Sequence, residues 1–117
     1  MPHIVLEHSA NLIEKANLTK VFQKLHEILS TGLPTNILSC KSRAYECEQF
    51  LVGEGQANDA FVHCEIKIMA GRSTEVREQV SVQVIELLQE SFAESMAKFN
   101  LQVTLELNEL IGIYQKR

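Results

Sequence analysis

Between Ala60 and Ile68 the chain alternates without a break, with Ala60, Val62, Cys64, Ile66 and Ile68 on one side and Phe61, His63, Glu65 and Lys67 on the other. A period of two sends successive side chains to opposite faces of a pleated strand, so this segment reads as a strand with one buried and one polar face. The pattern returns near the end, where Leu101, Val103, Leu105 and Leu107 alternate with Gln102, Thr104, Glu106 and Asn108. A one-sided sheet has to bury its apolar face against something else.

Two stretches supply the cover. From Asn17, read as an N-cap, Leu18, Val21, Phe22, Leu25, Ile28 and Leu29 recur at three- and four-residue steps, the stripe of an amphipathic helix, and Thr31-Gly32 with Pro34 behind them end it. Ser73 is positioned to cap a second helix with Glu75 in its first turn, and Val76, Val80, Val84, Leu87, Leu88 and Met96 form its inward stripe, which stops near Asn100. Residues 3–9 read as an opening strand, Asn11 and Glu14 mark a turn, and 37–45 with 46–52 read as extended chain before the turn signals Gly53 and Gly55.

The order is strand, helix, strand, strand, helix, strand. Each half, about 2–52 and 58–108, is a strand, a helix and a returning strand, with loops at 31–36 and 53–59. Parallel strands joined by a crossover helix are right-handed almost without exception, so two such units lie side by side in one four-stranded sheet with both helices on one face. The expected class is α/β (α+β), with residues 1–117 forming a single domain. The other face of the sheet is left bare, and Tyr45 and Phe61 on it are expected to be covered by neighbouring subunits.

Charge narrows the partners. A formal net charge of −4 gives no electrostatic footprint for nucleic acid or an anionic membrane. No apolar run approaches the roughly 20 residues that cross a bilayer, and the start has no basic segment followed by an apolar one. Cys40, Cys47 and Cys64 are an odd count, which reads as reduced thiols in the cytoplasm and not as a disulfide framework. Cys64, on the apolar face of its strand, reads as a packed thiol. His3, His8, His26 and His63 show no metal-ligand spacing, and His63 reads as a hydrogen-bonded structural group.

Four residues carry possible chemistry. Pro2 is either an ordinary strand opener or, once Met1 is removed, a terminal secondary amine. A terminal amine titrates at roughly 7.7–8, and burial beside cations lowers that value, which makes it a general base near neutral pH. A peptide-bonded proline nitrogen has no basic lone pair, so the second reading requires removal of Met1. Arg72 precedes the capped start of the second helix and is either a solvated surface residue or a two-pronged grip for a carboxylate. Lys41 and Arg43 stand two apart on a strand and point the same way, as an anion patch or as subunit salt bridges.

As a set, MPH at the start, the E and S of LEHSAN, the KSR and AFVH strands and the K-I-x-A-G-R-S segment resemble the 5-carboxymethyl-2-hydroxymuconate delta-isomerase family of the tautomerase superfamily. The resemblance runs from residue 2 to about 110. It implies a βαββαβ subunit assembled into a homotrimer, and an amino-terminal proline, here Pro2, that carries a proton in isomerising a small unsaturated keto acid without cofactor or metal. Arg72 matches the arginine of the G-R-S segment, and Arg43 matches the second arginine of an R-S-R strand whose first is replaced here by Lys41. Lysine is a point charge where arginine is a planar fork, so the grip on a carboxylate changes. The tail LIGIYQKR is short for the family and is placed to close a subunit contact or a pocket. The competing reading keeps the fold and drops catalysis, leaving a trimeric small-molecule binding or interaction protein.

Overall fold

A computed structural model describes all residues, 1–117. Strand β1 (His3–Ser9) leads through a 3-10 turn (Ile13–Asn17) to helix α1 (Leu18–Gly32). A second 3-10 turn (Ile37–Ser39) precedes β2 (Lys41–Cys47), and β3 (Asp59–Ile68), α2 (Thr74–Ser91), α3 (Ala93–Lys98) and β4 (Asn100–Glu109) follow. The sheet order is β2-β1-β3-β4. β1 runs parallel to β2, β3 parallel to β4, and the two pairs meet antiparallel along β1 and β3. The paired strand–helix–strand units therefore lie in one sheet, as the alternation implied.

The core lies between the sheet and the helices. Ile4 and Leu6 of β1 and Val62, Cys64, Ile66 and Ile68 of β3 meet Val21, Leu25 and Leu29 of α1 and Val80, Val84 and Leu88 of α2 in one buried cluster. The alternating leucines and valine of β4 are only half-buried, because β4 is an edge strand and the helices cover it in part. Ser73 accepts from the Val76 N–H at 3.2 Å, the cap expected of it.

Several local readings change. Asn17 makes no side-chain cap for α1; it ends the preceding 3-10 turn. α1 does end at Gly32, as expected, and the glycine has a further value there: a Cβ would stand 2.6 Å from Val80 Cγ2, so the missing side chain lets α1 approach α2. The second helix breaks at Phe92, whose ring is fully buried, while Met96 is 40% exposed and does not join the stripe. Glu14 causes the restart: its carboxylate accepts from the N–H groups of Glu94 (3.0 Å) and Ser95 (3.2 Å) and from the Ser95 hydroxyl, at the positive end of α3. β2 ends at Cys47, so the stretch to residue 52 is not strand. Gly53 and Gly55 turn the chain with φ of 54° and 87°.

The face away from the helices is polar. Tyr45 is 55% exposed there, whereas Phe61 is already half-covered within the chain, its ring 6.0 Å from that of Phe50 in an edge-on pair. All three cysteines are free. Burial pushes the Cys64 thiol up to about 12, with Glu65 adding to it, which fits a packed thiol. No helix is long and apolar enough to cross a membrane.

Candidate functional site

Parallel pairing of β1 with β2 sets His3 beside Lys41, and antiparallel pairing sets it beside Lys67 at the far end of β3. The amino terminus, the start of β2, the loop after β3 and the tail after β4 must therefore converge at one end of the sheet. Pro2 sits there, buried, just ahead of the central strand. Its carbonyl accepts from Lys41 N–H at 3.1 Å, extending the pairing by one step where the ring's missing donor costs nothing.

Around it is a cluster of cations. The Met1 ammonium donates to Ser39 Oγ (2.9 Å) and Thr35 Oγ1 (3.2 Å). Burial holds that amine below its ordinary pKa of 8.0; the charges of Arg72, Lys116 and Lys41 lower it further, and Cys40 alone opposes them. Each of these effects except the last penalises the protonated form.

Arg72 is fixed before anything binds. Gly71, with a φ of 121°, and the Ser73 cap bracket it, and its guanidinium donates from Nε to Leu33 O (3.0 Å) and from Nη1 to Met69 O (3.1 Å). This half-buried geometry is not that of a freely solvated side chain, and the guanidinium keeps further N–H donors for an anion. The Lys41 ammonium folds onto Ser39 O at 3.2 Å, beside the seat of the amine. Arg43 leans the other way and donates from Nη1 to His3 Nδ1 at 3.2 Å.

Of the residues singled out in the sequence, Pro2, Lys41 and Arg72 thus surround one terminus, and Arg43 reaches it through His3. His63 lies apart, bonded to Thr104 Oγ1 (2.7 Å) and Glu106 (3.2 Å) on the bare face. The sequence reading missed His3, Thr35, Ser39, Tyr114 and Lys116 as neighbours of this cluster. Only the position of His3 beside Pro2, and the tail as a closing element, pointed toward them. Separately, an open depression at the β3–β4 end carries Glu65, Lys67, Arg77 and Glu109. Its cations face those carboxylates at 3.9 Å and 3.8 Å, so it offers no spare positive charge.

A sequence model of the 5-carboxymethyl-2-hydroxymuconate isomerase family matches residues 2–116. The chain belongs to that family. It is 34% identical over 110 residues to the 5-carboxymethyl-2-hydroxymuconate Delta-isomerase of Escherichia coli, covering 94% of this chain and 87% of that one. The crystal structure of a 5-carboxymethyl-2-hydroxymuconate isomerase from Deinococcus radiodurans R1 superposes with a TM-score of 0.89 at 29% identity, over 98% of this chain and 88% of the other. A fused 4-OT symmetric trimer shares the fold alone, with a TM-score of 0.67 at 13% identity over 89% and 83% of the two chains. As a member of the isomerase family, this chain is an isomerase with a tautomerase-like fold.

Proposed function

We propose that the Pro2 nitrogen, freed by removal of Met1, is the base that moves a proton within a small unsaturated keto or enol carboxylic acid resembling 5-carboxymethyl-2-hydroxymuconate, formed in aromatic-compound breakdown. The neutral amine takes a proton from the carbon next to the carbonyl. The electron pair delocalises as a dienolate, and the resulting ammonium returns the proton one or two carbons away. Arg72, Lys41 and Arg43 form the cation set that holds the carboxylates, and the same charges stabilise the dienolate as it develops.

The observation that carries this reading is the environment of the amino terminus: burial and the charges of Arg72, Lys116 and Lys41 lower the pKa of an amine there, which favours its neutral, basic form. Pro2 lies one residue inward, about 3.8 Å along the chain, and is itself buried. We further propose a cytoplasmic homotrimer. The polar sheet face and the outward Ile111 and Ile113, 96% and 92% exposed, are surfaces that neighbouring subunits would cover, and a symmetric trimer occurs on this fold in the fused 4-OT protein.

A second reading follows from the Met1–Pro2 peptide bond: with Met1 retained the nitrogen is an inert amide and the chain a binding protein. Mass spectrometry and a turnover assay on Met1-free protein separate the two. Turnover that disappears on chemical blocking of the amine supports the base, and turnover that survives blocking refutes it. A ligand-induced rise in Tm with no turnover assigns the binding role. Pro2→Ala keeps a primary amine and is expected to retain the fold with a reduced rate.

A further inference from the structure

The tail after β4 has no regular secondary structure, and Ile111 and Ile113 point to solvent. Tyr114 nonetheless turns inward. Its hydroxyl lies 2.8 Å from His3 Nε2 and 2.7 Å from the Met1 sulfur, and its ring meets the imidazole edge-on at 5.9 Å between centroids.

The direction of these bonds follows from the donors available. A guanidinium only donates, so the contact from Arg43 makes His3 Nδ1 the acceptor and places the proton of the neutral ring on Nε2. Nε2–H then donates to the Tyr114 oxygen, and the hydroxyl proton is left to point at the Met1 sulfur, a weak acceptor. The imidazole is held neutral by its surroundings. Burial lowers the His3 pKa, and Arg43, Lys41, the terminal ammonium and Lys67 lower it further. The chain of bonds from Arg43 through His3 to Tyr114 therefore ends in one donor aimed at the space that Met1 fills.

Resting on the proton-transfer reading above, we infer that Tyr114 is a substrate-binding donor whose hydroxyl, oriented by His3 and Arg43, bonds the carbonyl or dienolate oxygen of the keto acid in the place now held by the Met1 sulfur. Tyr114 is the group that touches the substrate oxygen; His3 is a positioning residue, and Arg43, besides its place in the carboxylate-holding set, orients His3. The bond strengthens as negative charge builds on that oxygen, so its contribution falls on the rate more than on binding.

The test uses full-length, Met1-free protein. Tyr114→Phe removes only the hydroxyl and is expected to lower kcat by about 100-fold, with KM changed by less than about threefold and Tm unchanged. His3→Leu should match that loss and add nothing in the Tyr114→Phe background, while His3→Gln, which keeps a donor near the Nε2 position, should recover part of it. Equal kcat in wild type and Tyr114→Phe overturns the assignment, as does independent addition of the two losses. A readout free of turnover is the ring-carbon resonance of Tyr114 labelled at Cζ, with 2-oxohexanedioate as probe. A shift on saturation supports the assignment even in a protein that turns nothing over, an outcome that would count against the proton-transfer reading alone. No shift at saturating probe overturns it.

Discussion

Arg72→Ala separates three roles that one guanidinium combines. Its bonds to Leu33 O and Met69 O tie the end of α1 to the loop after β3. Each such bond contributes about 0.5–1.5 kcal/mol net; the carbonyl of exposed Met69 can rehydrate whereas Leu33 is buried, so the two together are worth about 1–2 kcal/mol. For a chain of this size that lowers Tm by roughly 4–8 °C. Losing the charged grip on a carboxylate costs about 2–4 kcal/mol, or roughly 30- to 1,000-fold in kcat/KM. The third effect is on poise. The Arg72 charge lowers the pKa of the terminal amine. A base must be neutral to act, so the rate rises with pH through that pKa, and removing the charge moves the acid limb of the kcat/KM profile to higher pH. Arg72→Lys should keep the limb in place, because the charge stays, yet lose much of the affinity, because the fork is gone. Steady-state kinetics across pH, followed by the ultraviolet absorbance of the conjugated acid, together with thermal melts, resolves the three. A fall in Tm with kcat, KM and the pH limb all unchanged would reduce Arg72 to a structural staple and refute the carboxylate grip.

Other perturbations probe the scaffold. Glu14→Ala leaves the first turn of α3 and the buried Ser95 hydroxyl without their acceptor, and should cost about 2–3 kcal/mol in urea unfolding; an unchanged midpoint would show that water replaces the carboxylate. Burial lowers the pKa of His26, and burial with nearby cations that of His3. The unfolded chain therefore binds protons first, and stability should fall as pH drops below the ordinary histidine value of 6.5. Denaturant titrations at neutral and mildly acidic pH measure the slope, which His26→Gln should flatten. Under a thiol reagent, half-buried Cys47 should react well before Cys64, which is fully buried with its thiol pushed to about 12; rapid native labelling of Cys64 would mean that β3 opens.

The alternation of β3 and β4 and the stripe of α1 made the fold legible, because period and burial are local properties that survive in one dimension. Met96 was misjudged, and buried Phe92 passed over, because the helix restarts after residue 91, and the cause, Glu14, is far away in sequence. Gly32 was legible as the helix end, but nothing in its neighbours announces that α2 passes against it. At the candidate site, Pro2, Lys41 and Arg72 stood out through their own chemistry, a possible terminal amine and two cations near element starts. Thr35, Ser39 and Tyr114 carry common hydroxyls that acquire meaning only when the loop and tail fold over the terminus. Arg43 illustrates the limit well: its charge was legible, its engagement with His3 was not.

The seat of the terminal amine, between the hydroxyls of Thr35 and Ser39 and beneath Tyr114, has a practical corollary for anyone producing this protein. An affinity tag or fusion partner ahead of residue 1 has to thread out of that crowded recess, displacing the tail or capping the nitrogen with an amide. A handle joined after Arg117 avoids the recess, and preparations made the two ways should differ sharply in specific activity.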